Sequence, residues 1–241
     1  MTTDTDLTTR TSHRSADEPA SGELGGRWPW AGLVAATTLF AFPAVGSEFY
    51  QEEVTDGGVG AVYDTVAGNG TLQHVAMVLA FTGAVALGLF GAGFVRFLAA
   101  RTPRASSAGQ LARIGMSAAI GLSIAVAVLK AIYRGGLPDH GDHTMYTKDA
   151  VAVLDVVVGQ FQYTGLWPLT LVMAAVAALA LVHRTLPRWF GIVSAVVLVA
   201  TLGMALGLGL PYFAGLVGPV WLVVCVVVVL RYRGRPVTTR A

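Results

Sequence analysis

Apolar residues in this chain gather in long uninterrupted runs separated by short charged stretches, the pattern of helices that cross a bilayer rather than of half-buried strands. Six spans are expected. The first, 28–46, is nineteen residues without a charge, opened by Trp28 and Trp30, aromatic residues that favour the headgroup boundary. A second covers 71–95, uncharged when His74 is neutral, and ends at Arg96, after which Arg101, Arg104 and Arg113 form a short basic loop. The third, 114–133, is shorter, but Lys130 and Arg134 have stems long enough to reach the interface beside Tyr133. The fourth, 156–182, has twenty-seven uncharged residues with Gly165 and Pro168 in its first half, where a helix kinks or restarts. From 189 to 230 forty-two residues carry no charge, twice what one crossing of about 20 needs, so a hairpin turning at 207–212 is expected, with spans at 190–208 and 213–230.

The segments between spans complete an all-α polytopic bundle with short outer-loop helices. Residues 1–27 are almost free of apolar side chains and read as a disordered tail, too long and too acidic for an ordinary signal peptide. The six-helix domain then occupies 28–231, and 232–241 form a basic tail. Between spans one and two, 47–69 carry Glu48, Glu52, Glu53, Asp56 and Asp64 and no basic residue, with glycines that divide the stretch into pieces of surface helix. Thr147 before Lys148 and Asp149 reads as a helix start.

Charge sets the orientation. On this plan thirteen of the sixteen Lys and Arg residues fall on the side of the two termini, and only Lys130, Arg134 and Lys148 on the other. The positive-inside rule places both termini in the cytoplasm and 133–155 outside, in a plasma membrane. The formal charge of +2 and a pI near 8.9 therefore reflect topology, not a nucleic-acid surface. With 12% charged residues and a mean hydropathy of +0.64, the chain departs from the roughly 25% charged residues of soluble domains. Fourteen of the sixteen basic residues are Arg, which with the Ala, Val and Gly bias suits a GC-rich bacterial source. The single Cys225 rules out a disulfide framework and a Cys-rich metal site.

Small residues four apart, Ala84 and Gly88, Ser117 and Gly121, Gly203 and Gly207, Ala205 and Gly209, are expected to let helices approach closely in lipid. Trp-Pro pairs at 28–29 and 167–168 suggest an inverted three-plus-three repeat.

Candidate chemistry concentrates at 133–155. Asp139, His140, Asp142 and His143 lie within five residues, a donor set that suits Zn²⁺ or a similar divalent ion, and the plain alternative is a hydrated loop. His74, at the outer end of span two, is a further ligand candidate for such an ion or for haem. His183 lies across the membrane from it. No cofactor is required by any of these residues. Lys130 and Asp155, at the outer ends of spans three and four, form a possible polar pair, either a salt bridge pinning the two spans or part of an ion relay. Glu48 and Glu52 share a face if helical. Nucleotide-binding, nucleophile-elbow, zinc-protease and Walker motifs are absent, which lowers an enzymatic reading.

LPRWFG at 186–191 and PVWLVVCVVVVLRYR at 219–233 resemble the closing segments of uncharacterised six-span bacterial integral membrane proteins of the domain-of-unknown-function kind. The resemblance implies six spans and no substrate or site residue. The expected role is that of a non-enzymatic accessory or interaction protein in the lipid bilayer, with acidic outer loops that meet solvent, a protein partner or a second copy. A small transporter or ion-coupled channel is the alternative, and a metal- or haem-binding membrane enzyme the third.

Overall fold

A computed structural model of the chain describes residues 26–46, 58–135 and 146–233. Among these the chain forms α1 (Trp28–Gly46), α2 (Gly58–Gly68), α3 (Gly70–Ala99), α4 (Ala108–Gly135), α5 (Lys148–Thr164), α6 (Leu169–Ala177), α7 (Arg188–Leu208) and α8 (Phe213–Tyr232). One π-helical turn, Ala178–Val182, prolongs α6. Six segments are long and apolar enough to cross a membrane, with α5, α6 and the π turn counting as one. The chain is an all-α, multi-pass membrane protein, and α4 begins at Ala108 and α5 at Lys148, six and eight residues before the apolar runs that mark spans three and four in the sequence.

Local sequence explains the helix boundaries. Thr147 caps α5, its Oγ1 accepting from the Ala150 amide at 3.2 Å. Gly165 and Pro168 interrupt the fourth span, because Pro168 has no N–H to continue the ladder. The α6–α7 connection is tight. His183 donates its amide to the Ala178 carbonyl, Thr185 donates to that of Leu179, and Arg184 takes a positive φ of 56° to make the reversal.

Helix α1 packs chiefly on α3 and also on α8, while α3 meets α4, α4 meets α6, α6 meets α7 and α7 meets α8. Lipid offers no hydrophobic drive for this association, so close approach matters. A Cβ on Gly93 would lie 2.3 Å from the Trp28 ring, and one on Gly215 2.7 Å from the Tyr163 backbone. The small residues expected at the contacts are largely elsewhere. Nothing lies within 4 Å of a Cβ built on Gly121, Gly203, Gly207 or Gly209, and Gly88 meets only Ile120 at 3.9 Å. The physical reason is that α7 is peripheral: it presents Val196, Val199 and Leu206 outward and buries Phe190, Gly191, Ser194 and Thr201. Sequence spacing marks a small-residue stripe but not which side of the helix has a neighbour.

The bundle has two unlike ends. At the basic end the start of α1, the α3–α4 and α6–α7 connections and the end of α8 lie together. Arg96, Arg104, Arg113, Arg184, Arg188, Arg231 and Arg233 are exposed there, and no described residue at that end is acidic. Helices α3 and α4 have 30 and 28 residues against 19 for α1 and 20 for α8, roughly 45 and 42 Å against 29 and 30 Å. Gly215, near the start of α8, abuts Tyr163, near the end of α5, so most of α5 continues past the start of α8. The excess length therefore projects at the opposite, acidic end. There α2 folds onto α5, with Val66 buried against Val151 and Val158. An exposed ion pair, Lys148 to Asp64 at 3.6 Å, links the same two helices.

The Trp-Pro pairs occupy different depths. Trp28 opens α1 at the basic end against Gly93, whereas Trp167 donates its indole N–H to the Pro211 carbonyl, at 3.2 Å, in the α7–α8 turn. They thus lie toward opposite ends of the bundle, Trp28 in the first turn of its helix and Trp167 at the interruption inside the fourth span.

Candidate functional site: a buried polar layer toward the acidic end

Three neighbouring helices each turn one polar side chain inward near the acidic end. Helix α3 contributes Gln73, α4 Lys130 and α5 Asp155, which are 0%, 1% and 7% exposed. The Lys130 ammonium donates to Gln73 Oε1. Leu129 and Leu154, the neighbours in sequence of Lys130 and Asp155, join one apolar cluster with Val66, Val151 and Val158, so α2 covers the flank of this layer. A buried ammonium is costly unless its donors are engaged, which is what Gln73 provides.

Seven residues further into the bundle, on the same faces of α4 and α5, lie Ser123 and Gln162. Both are buried, and they line a cavity of about 10 Å³ with Leu39, Phe42, Val126 and the interrupted backbone at Gly165. Beyond it toward the basic end the interior is apolar. Trp28, Phe90, Phe94 and Phe97 succeed one another with ring centroids 5.2 to 6.1 Å apart, and Trp221 sits edge-on to Phe94 at 6.3 Å. The indole N–H of Trp221 donates to Ser194 Oγ at 3.0 Å, which satisfies the polar edge of that core. The polar column is thus one-sided.

The expected site residues divide. Lys130 and Asp155 are both brought inside at the same end. His74 is exposed, turned away from the layer by one helical step from Gln73. Asp139, His140, Asp142 and His143 lie outside the described residues, as do Glu48, Glu52 and Glu53. Among the described residues no three His, Cys, Asp or Glu side chains converge as metal ligands would. Gln73, Ser123 and Gln162 were not singled out from the sequence, because uncharged polar residues inside apolar runs resemble tolerated exceptions. The signal that marks two of them is the seven-residue spacing from Lys130 and from Asp155.

Arg101, assigned from the sequence to a basic loop, is also buried, at the other end of the bundle. Its Nη1 donates to the Phe97 carbonyl at 3.1 Å and its Nη2 to the Tyr232 carbonyl at 2.9 Å, with the guanidinium 3.8 Å above the Phe97 ring. It thereby closes the C-terminal ends of both α3 and α8, where a cation is favoured. Burial lowers its pKa from the usual arginine value, but the group stays charged.

No protein-family profile, curated protein or solved structure matches the chain.

Proposed function

We propose that the chain is a non-enzymatic plasma-membrane protein, an accessory or interaction subunit with both termini in the cytoplasm and its acidic end outside. The observation that carries this reading is the engagement of Lys130 by Gln73 at the base of the projecting helices. An ionisable group used as a clamp between spans holds the outer cap in place and needs no substrate. The arginines at the end of the two termini and the acids at the other support the orientation. The resemblance to six-span proteins of unknown function agrees with this reading and adds no residue role.

The interruption at Gly165 and Pro168 beside the cavity that Ser123 and Gln162 line favours a second reading, an ion-coupled carrier, since broken helices often border transport sites. Proteoliposomes loaded with a pH-sensitive dye separate the two. The accessory reading expects no proton or alkali-cation flux above empty vesicles and no effect of Asp155→Asn on the baseline. Flux that Asp155→Asn or Lys130→Met abolishes in folded protein would replace it with the carrier. A metal- or haem-containing enzyme is tested separately by metal analysis and an absorption spectrum of the purified protein.

A further inference from the structure

We infer that the cavity between Ser123 and Gln162 is a binding site for a single ordered water that joins α4 to α5 where the fourth span is interrupted. Ser123 and Gln162 are 5% and 7% exposed, both line the cavity, and neither side chain has a hydrogen-bond partner among the described residues. Buried hydroxyls and amides are almost always satisfied, by protein or by ordered water, because leaving them unmade in an apolar interior is costly. The two groups lie on helices that do not supply each other's partner, and both open onto the cavity between them, where a small molecule can bridge them.

The chemistry of that molecule follows from its surroundings. It has to donate and accept, since a hydroxyl and a carboxamide each offer both functions. The cavity of about 10 Å³ is on the order of what one water needs. Two side-chain oxygens fall short of the six or more that a hard divalent cation takes. The Lys130 ammonium, on the same face of α4 and roughly 10 Å away by helical rise, further disfavours a positive occupant. Water has a second use at this point. Gly165 lines the cavity where α5 stops, and ordered water is one of the means by which interrupted helices in membranes satisfy their backbone. Leu39 and Leu166 border the site, and the apolar core lies beyond it.

Hydroxyl-radical footprinting by X-ray radiolysis in nanodiscs tests this directly, because bound water generates radicals beside the side chains it touches. Phe42 borders the cavity and is 2% exposed, whereas Phe90 and Phe94 are fully buried in the apolar core. The expected result is several-fold more oxidation of Phe42 than of Phe90 or Phe94, falling to their level in Ser123→Ala/Gln162→Leu. Equal oxidation of the three phenylalanines in the wild type, or labelling of Phe42 that survives in the folded double variant, overturns the assignment. If the double variant does not fold, Ser123→Ala alone serves, with a partial loss of Phe42 labelling expected and no loss overturning the site. A thermal stabilisation by NaCl over choline chloride that disappears in Gln162→Leu would also overturn it, in favour of a cation.

Discussion

The two ends of the bundle solve the same packing problem with different chemistry. At the basic end, aromatic rings and close helix contacts fill the interior, and the one buried charge among the described residues there, Arg101, spends its donors on backbone carbonyls at two helix ends. Toward the acidic end the described residues form two small apolar clusters, and side chains with hydrogen-bonding groups stand between them and the main core. Dispersion and shape dominate in the first region, and satisfaction of donors and acceptors in the second. The first is intolerant of lost volume, the second of a lost partner. A region held by partners can also rearrange by exchanging them, which makes the acidic end the part suited to a functional role.

Substitutions that remove volume from one end and partners from the other test this contrast. Trp221→Ala empties the dry core and is expected to cost about 3–5 kcal/mol, read as a large drop in thermal midpoint in nanodiscs. Gln73→Leu removes one acceptor from the buried Lys130 ammonium and should cost about 1–3 kcal/mol. The double variant Gln73→Leu/Lys130→Met should recover most of that loss, because both partners become apolar; a sum of two independent losses would mean that the pair is not a unit. Arg101→Met removes two carbonyl contacts and the Phe97 stack, with an expected loss of about 1–2 kcal/mol and greater proteolytic access to the end of α8. The smallest effect is expected at Gly203→Ala, where open space surrounds the new methyl and helix propensity favours alanine by up to about 1 kcal/mol. Gly191→Ala is its counterpart at a contact: the added Cβ would lie 2.5 Å from that of Ala180, so destabilisation there and none at Gly203 would bear out the assignment of the two faces of α7.

Much of the fold was legible because hydrocarbon imposes a simple demand. The forty-two uncharged residues at 189–230 had to double back, and they do, through Gly209 in the left-handed conformation at the end of α7. Thr147 was legible as a cap from its hydroxyl and its place before Lys148 and Asp149. The site was legible only in part. Lys130 and Asp155 stood out as charges, whereas Gln73 was passed over for its neighbour His74, since a titratable imidazole attracts more notice than an amide. Adjacent residues on a helix point about 100° apart, and nothing local to 73 and 74 says which of them meets α4. Arg101 was read as one of several loop arginines because its partner, the Tyr232 carbonyl, is 131 positions away.

The sequence by itself determined how many segments are long and apolar enough to cross, the order in which they follow, and at which end the arginines collect. Those properties follow from runs of transfer free energy and from charge counts along the chain, and neither requires knowing a neighbour. Only the tertiary structure decided which face of each helix is inside. It placed Gly93 rather than Gly203 at a contact, Gln73 rather than His74 in the layer, and Ser123 opposite Gln162 across a cavity. The reason is clearest in α1 and α8, which are apolar nearly all round and have no strongly polar side to turn outward, so lipid and protein compete for every face. Close packing and the pairing of a few buried polar groups settle that competition, and both depend on contacts between residues far apart in the chain.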